Sequence, residues 1–323
     1  SGAAAAVKGR VLLMYASPQF NPNDSKDRWE AAYTANAEAK TLLEQNGFGL
    51  FEVGGSSDGK AWGDMFLKEG SNPEAVLVYG FNSGAASNGG VKNNGWEQVI
   101  RPRGISGSGS ISPTKQLLDA FPMLDGKNID DPTSKYSYDA QKFYKNRDPR
   151  FGKTFVYNGA LFPYGKGATY RQWTYYWKNN TGAYVSTETK GPNSSGIYLR
   201  KGSDPAASGT SNGGDGFQQS GTDFIELRFA EVVLNLAESA IGSDRLTEGL
   251  KGIKDIRKRA GLEAGDGSYG LASAAGNRDK LFGAVINERK LEFAYEGKRF
   301  YDLRRWKLFE EDSQTAKRIG VKP

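Results

Sequence analysis

The sequence contains no cysteine and no histidine in 323 residues. Without cysteine there is no disulfide framework and no thiolate metal site. Without histidine the chain loses the commonest general base and the commonest metal ligand. Ser-His-Asp and Cys-His catalysis are therefore excluded, a zinc site is disfavoured, and no metal or cofactor is expected. Carboxylate-only chemistry, such as glycoside hydrolysis by paired acids, stays open. Long apolar runs are missing as well. VLLMYA at 11–16 is too short to span a bilayer, and no export cleavage pattern accompanies the Lys8 and Arg10 that precede it. The sequence begins at Ser1 rather than Met and reads as a fragment without its natural N-terminus.

Charge of one sign is also scarce. Lys and Arg number 43 against 37 Asp and Glu, a net charge of +6. The charges are interspersed and clustered basic tracts are absent, so no nucleic-acid partner is expected. What is plentiful is glycine (42), with 16 Tyr, 17 Phe and 6 Trp. Glycine-rich loops carrying aromatics suit flat, hydroxylated ligands, and they equally suit ordinary irregular structure. GISGSGSIS at 104–112 lacks the lysine of a phosphate loop. The acids of 125–131 do not have the spacing of a calcium loop.

Periodicity predicts a helix over 3–17, with Val7, Arg10, Val11 and Met14 on one face. A second is predicted over 27–46, capped by Asp27 with Glu30 three residues on and Gly47 behind its end. The pair resembles a tetratricopeptide-type hairpin. EAVLVYGF at 74–81 reads as a strand, 82–110 as Gly/Ser/Asn-rich loop, and 112–121 as a short helix. The stretch 122–223 is loop-rich and aromatic, with a turn and then a strand at 147–159. Helices return at 222–241, where Leu227, Ala230, Leu234 and Ala237 form a stripe. Further helices are predicted over 246–261 and from Arg278 to Tyr295, and a short one carries YDLRRWKLF.

The most specific block is NERKLEFAYEGKRFYDLRRW at 287–306. Glu288, Glu292 and Glu296 recur at i, i+4 and i+8, and three like charges in a row repel. Arg299, Arg304 and Arg305 follow directly and are expected to answer them in a partly buried network at a helix corner. This block resembles the C-terminal signature of the SusD/RagB family. The match covers Glu288, Arg289, Glu292, Phe293, Glu296, Gly297, Arg299, Asp302, Leu303, Arg305 and Trp306. LRFAEVVLNLAESA (227–240), SPTKQLLDAFPMLDGK (112–127), RDPRF (147–151), GIYLRK (196–201) and VKGRVLLMYASPQFN (7–21) look like family landmarks in family order.

The resemblance implies a mainly α fold: tetratricopeptide-like helix hairpins as scaffold, with long irregular loops and a few short strands. It implies one SusD-like domain over 1–323, with helical scaffold at 1–50 and 222–310 and a loop-rich ligand face at 51–221. It implies a non-catalytic, surface-exposed lipoprotein of the cell outer membrane, of the Bacteroidetes nutrient-uptake type. Such a protein binds oligosaccharides or polysaccharides and passes them to a SusC-like TonB-dependent transporter. Membrane attachment would run only through an N-terminal lipid anchor absent from this chain, which also lacks the usual N-terminal region and C-terminal end. A peptide-binding member of the same family and a carboxylate-dependent glycoside hydrolase are the alternatives.

Two places carry candidate ligand contacts. The cluster TYRQWTYYWKNNTG at 169–182 contains Tyr170, Trp173, Tyr175, Tyr176 and Trp177 with Arg171 and Asn179. Sugar rings stack their C–H faces on aromatic planes while their hydroxyls seek Asn, Arg and Asp. Period-2 alternation places Trp173, Tyr175 and Trp177 on one side and Tyr176 on the other. A half-buried hairpin with alternate aromatics packed inward fits the same residues. The other place is Trp96 with Asn93, Asn94, Arg101 and Arg103, in a loop where binding groups commonly sit. A solvated loop with one anchoring Trp fits it equally. The Glu/Arg signature itself reads as scaffold, because acids stacked along one helix face cannot flank a substrate as a facing pair.

Overall fold

The computed structural model describes residues 1–82, 94–105, 107–163, 167–175, 177–185, 195–205, 207 and 220–310. Helices dominate. They are α1 (Gly2–Ala16), α2 (Lys26–Gln45), α3 (Lys60–Met65), α4 (Trp96–Ile100), α5 (Lys115–Ala120), α6 (Pro149–Thr154), α7 (Phe229–Gly242), α8 (Leu246–Ala260), α9 (Arg278–Glu292) and α10 (Arg299–Arg305). The strands are short: β1 (Ala75–Tyr79), β2 (Phe155–Val156), β3 (Ala160–Leu161), β4 (Arg171–Gln172), β5 (Trp177–Lys178), β6 (Tyr184–Val185), β7 (Tyr198–Leu199) and β8 (Phe224–Arg228). They pair as two-stranded antiparallel ribbons, β1–β8, β2–β7, β3–β4 and β5–β6.

The first two helices pack through their smallest side chains. α1 buries Ala6, Gly9, Leu13 and Ala16 against Ala32, Asn36, Ala39 and Leu43 of α2. A β-carbon at Gly9 would stand 2.2 Å from the Asn36 side-chain oxygen. The Asn36 amide donates to the Gly9 and Ala32 carbonyls at 3.2 and 2.8 Å. The expected α1 face is therefore the wrong one: Val7 is 38% and Val11 57% exposed. Close approach of two backbones rewards small residues, so the bulkier stripe rotates outward. The α2 cap also differs. Ser25 occupies that position, its N–H donating to the Asn21 side-chain oxygen at 2.8 Å, and Glu30 pairs with Arg245 instead of closing a capping box.

The predicted helix over 222–241 splits. Phe224–Arg228 is strand, with Ile225 and Leu227 inward and Phe224 outward, because β1 supplies a pairing edge. α7 follows and is buried on nearly every side, in contact with α2, α8 and α9. The turn expected at 147–159 is instead the short helix α6. Pro149 pre-sets its first turn and the Asp148 carboxylate accepts the Arg150 N–H at 2.9 Å. α8 ends on Gly261 in the left-handed region (φ +91°). α9 stops at Glu292, three residues before the predicted Tyr295, and a turn leads into α10.

The main core lies where α1, α2, α7, α8 and α9 meet, with Trp29 at its centre. A second core stacks Phe121, Phe151 and Phe155 edge to face under β2 and β7, with centroids 5.1 to 5.7 Å apart. Among the described residues no helix is long and apolar enough to cross a membrane.

Candidate functional site

The acidic stripe of α9 points inward, and its partners come from far along the chain. The Glu292 carboxylate accepts from Arg150 at 2.7 Å, from Arg228 at 2.6 Å, from the Trp62 indole at 3.1 Å and from Arg259. Glu288 pairs with Arg150 at 2.7 Å and Arg257 at 2.8 Å. Glu296 accepts from Arg228 at 2.8 Å and Lys201 at 2.6 Å. Glu74, arriving just before β1, accepts from Arg228 at 2.7 Å and from Arg259. Asp148 accepts from Arg150 at 2.7 Å. Five buried carboxylates (Glu74, Asp148, Glu288, Glu292, Glu296) thus face five buried cations (Arg150, Lys201, Arg228, Arg257, Arg259), and the charges cancel.

The expectation that Arg299, Arg304 and Arg305 answer this stripe is corrected. Arg304 lies on the surface over Phe300. Arg305 belongs to a second knot, where it donates to Asp302 at 2.8 Å and to Glu238 at 2.7 Å. Arg289 donates to the same Asp302 at 3.0 Å and to Asn235 at 2.6 Å, and the Trp306 indole donates to Glu238 at 2.8 Å. This knot ties α7, α9 and α10 together. Burial alone would raise Glu292, but Arg259, Arg228 and Arg150 hold it well below the usual carboxylate range. Burial likewise works against Glu296, and Arg228 and Lys201 win. For Lys201 burial wins over Glu296, and its ammonium is pushed down to about 8. Acids fixed in ion pairs on every side have no route to a substrate proton.

In front of this network lies a cavity of 190 Å³ walled by Phe66, Phe81, Trp96, Phe224 and Tyr295, with Lys201 and Glu296 among its lining. The Trp96 indole N–H donates to the Lys201 carbonyl at 2.8 Å, and the Trp96 backbone N–H to Asn94 at 2.9 Å. Asn94 is itself anchored on the Thr222 carbonyl at 2.7 Å. Asp223 accepts the Phe81 N–H at 2.9 Å. Phe224 is 40% exposed at the end of β8. The arrangement is an apolar wall of fixed rings bordered by Asn94, Thr222 and Asp223.

The sequence-derived candidates fall into separate places. Trp96 and Asn94 line this cavity. Arg101 does not: it is 1% exposed, paired with Glu97 and donating to the Ala207 and Asp204 carbonyls. It is a structural residue and leaves the ligand-facing set. Tyr170, Arg171, Trp173 and Tyr175 sit together around the β3–β4 ribbon, apart from the cavity lining. Arg171 and Trp173 face out while Gln172 and Thr174 are buried. Trp173 lies over Gly159, where φ is +80° and a β-carbon would come within 3.2 Å of the indole. Arg171 donates to the Gly159 carbonyl at 2.8 Å. Tyr170 is half-buried against the small core of Phe162 and Tyr198. Tyr175 is half-buried, its N–H held with that of Thr174 by the Asn158 oxygen at 3.2 and 3.0 Å. The Asn179 side chain is exposed, and its oxygen is taken up by the β5–β6 turn, accepting from Thr181 and Ala183. Asn93, Tyr176 and the Trp177 side chain lie outside the described residues.

Phe81, Phe224 and Tyr295 escaped sequence reasoning. Phe224 would have shown as an outward aromatic had 224–228 been read as strand.

The comparisons bear on the whole chain. A profile described as the SusD family matches residues 73–322. SusD-like protein P2 of Formosa agariphila is 36% identical over 102 residues, which are 30% of this chain and 20% of that protein. The crystal structure of a SusD-like protein from Bacteroides fragilis superposes with a TM-score of 0.69 at 24% identity, covering 96% of this chain and 55% of that one. A crystal structure with xylogluco-oligosaccharide gives a TM-score of 0.60 at 17% identity, covering 98% of this chain and 52% of that one. The chain thus spans about half the length of these solved relatives, and at such identities they show the fold.

Proposed function

The chain belongs to the SusD family, and we propose that it binds oligosaccharides or polysaccharides at the cell surface for delivery to a TonB-dependent outer-membrane transporter, without making or breaking a bond. The observation that carries this reading is the ring-walled cavity. Trp96, Phe224, Phe81 and Tyr295 offer flat apolar faces, and Asn94 and Asp223 border them with hydroxyl partners. Pyranose rings need both, stacking through C–H faces and hydrogen bonding through their edges. Lysine, glutamate and backbone bonds behind the wall fix its shape before ligand arrives, which lowers the ordering cost of binding. The exposed pair Trp173 and Arg171 is a second platform of the same chemistry, suited to a polymer long enough to reach both. A solved relative carries a xylogluco-oligosaccharide, which agrees with this class of ligand.

The burial of the signature acids supports a non-catalytic role. Glu288, Glu292 and Glu296 are buried in ion pairs, so none can serve as a facing acid and base. A lipid anchor at the outer membrane and a SusC-like barrel as receiver complete the proposal. The test is affinity electrophoresis of the chain through gels containing a panel of polysaccharides, with Phe224→Ala and Trp173→Ala alongside. Retardation by a glycan, reduced in a folded Phe224→Ala, is expected. Absence of retardation in every gel overturns the reading.

A further inference from the structure

The cavity before Trp96 adjoins a larger cleft at Phe224. That cleft, of 470 Å³, opens on the α1 side of β8, and Phe224 and Glu296 line both hollows. Its walls are Leu13 and Met14 of α1, Phe224 and Glu226 of β8, and Tyr301 of α10. The cavity alone, at 190 Å³, is smaller than the about 300–1,000 Å³ that usually encloses a small organic ligand. The cleft falls within that range. Strand alternation turns Phe224 and Glu226 to the same face of the β1–β8 ribbon. Tyr79 stands opposite Phe224 across the ribbon, its ring 5.0 Å from that of Phe81. Aromatic rings thus lead from the cavity over the ribbon into the cleft, where Tyr301 is exposed.

Four cations and four carboxylates line the cleft, and each is already paired. Arg10 donates to Glu231 at 2.6 Å and to Glu226 at 2.9 Å. Lys298 donates to Glu226 at 3.1 Å and lies 3.5 Å from Glu231. Glu296 is held by Arg228 and Lys201, and Asp302 by Arg289 and Arg305. An acidic saccharide would have to displace one of these carboxylates, losing as many charge contacts as it made and adding its own desolvation. A neutral saccharide displaces nothing. Its hydroxyls need acceptors, and Glu226 is suited to supply one. Arg10 and Lys298 both bond Glu226 at Oε1, while a carboxylate offers about four acceptor positions. Burial opposes the Glu226 charge, but Lys298 and Arg10 outweigh it and hold the carboxyl below its ordinary range.

We infer that the cleft between α1, β8 and α10 is a second saccharide subsite, joined to the cavity at Phe224, and that the two together select an uncharged glycan chain long enough to fill both. Tyr301 and Phe224 supply stacking faces, and Glu226 accepts from hydroxyls. The binding itself rests on the function proposed above. The length and the neutrality of the ligand stand on the joined hollows and on the paired charges of the cleft.

The test begins with the full chain in gels containing starch, xyloglucan, mixed-linkage β-glucan or polygalacturonate. The disaccharide and hexasaccharide of the retarding polymer are then titrated calorimetrically. A neutral polymer is expected to retard the chain and polygalacturonate is not. The hexasaccharide should bind about ten-fold more tightly than the disaccharide. Tyr301→Ala and Glu226→Gln should each weaken the hexasaccharide about two- to thirteen-fold. Glu226→Gln preserves shape and carries the test should Tyr301→Ala fail to fold. Retardation by polygalacturonate alone overturns the inference, as does a disaccharide that binds as tightly as the hexasaccharide. Retardation that Phe224→Ala reduces while Tyr301→Ala and Glu226→Gln leave the hexasaccharide affinity unchanged overturns this subsite and keeps the function proposed above. A chain that no gel retards overturns that function, and this subsite with it.

Discussion

The α9 carboxylate network and the β3–β4 ribbon are both dense in chemically capable side chains, yet they are built for opposite ends. In the first, ten charged groups are buried and each is met by an opposite charge. In the second, Arg171 and Trp173 face outward, where the Thr174 N–H donates to the Asn158 side-chain oxygen and the Arg171 guanidinium to the Gly159 carbonyl. The richest cluster of acids is therefore the part least able to meet a substrate. Freedom to exchange partners, rather than the number of functional groups, separates a scaffold from a site. The cavity before Trp96, apart from the ribbon, has something of both characters, since Lys201 and Glu296 belong to the network while Phe224 is exposed at its wall.

The contrast is broken most forcefully at Glu292. Glu292→Gln leaves Arg150, Arg228 and Arg259 around a neutral amide, and removing one partner of a buried ion network costs about 3–5 kcal/mol. Urea denaturation should show that loss with ligand contacts untouched. A loss under about 1 kcal/mol would mean that the network is not the keystone of the fold.

Acid sharpens the same point. The folded Glu292 holds its charge well below the ordinary carboxylate range, because three arginines outweigh burial. Its folded value lies below its unfolded one. Its contribution is thus complete above the unfolded value of about 4.3 and is lost as pH falls toward the lower folded value. The stability gap between wild type and Glu292→Gln should persist at about pH 5 and narrow steadily as pH falls below about 4. A gap that closes between pH 7 and 5 would contradict the charge assignment.

On the ribbon the expected effects reverse. Trp173→Ala should weaken retention by a recognised glycan by about 0.5–1.5 kcal/mol, or about two- to thirteen-fold, with little change in denaturation midpoint. Arg171→Ala should do less, within about 0.5 kcal/mol in stability, because it loses one exposed bond to the Gly159 carbonyl. If Trp173→Ala instead destabilises the chain as Glu292→Gln does, the ribbon is core and the contrast fails.

How much was legible follows the range of the interactions. Long helices with local periodicity, α2, α8 and α9, were found within a few residues. The α1 face was not, because hydrophobic spacing points to large residues while α2 selects Gly9 and its alanine neighbours. Strand β8 was hidden because the stripe of α7 runs smoothly back through Leu227, and its pairing edge lies some 150 residues upstream at β1. The glutamate stripe was visible as a repeat, and the resemblance carried by residues 287–306 fixed the family. Its counter-ions were not visible: Arg150 and Arg228 are 142 and 64 residues from Glu292, and no spacing rule reaches that far. Trp96 was singled out as a candidate, whereas Phe224 and Tyr295 become neighbours only in three dimensions.

Titration of intrinsic tryptophan fluorescence tests the central claim most directly, because Trp96 stands in the cavity wall. A glycan that retards the wild type should give a saturable change. Phe224→Ala, with an unaltered unfolding midpoint, should need about ten-fold more ligand, the equivalent of about 1.4 kcal/mol. An unchanged affinity in that variant, or the appearance of shortened saccharide products during the titration, would contradict the account of a bond-sparing binder that uses this cavity.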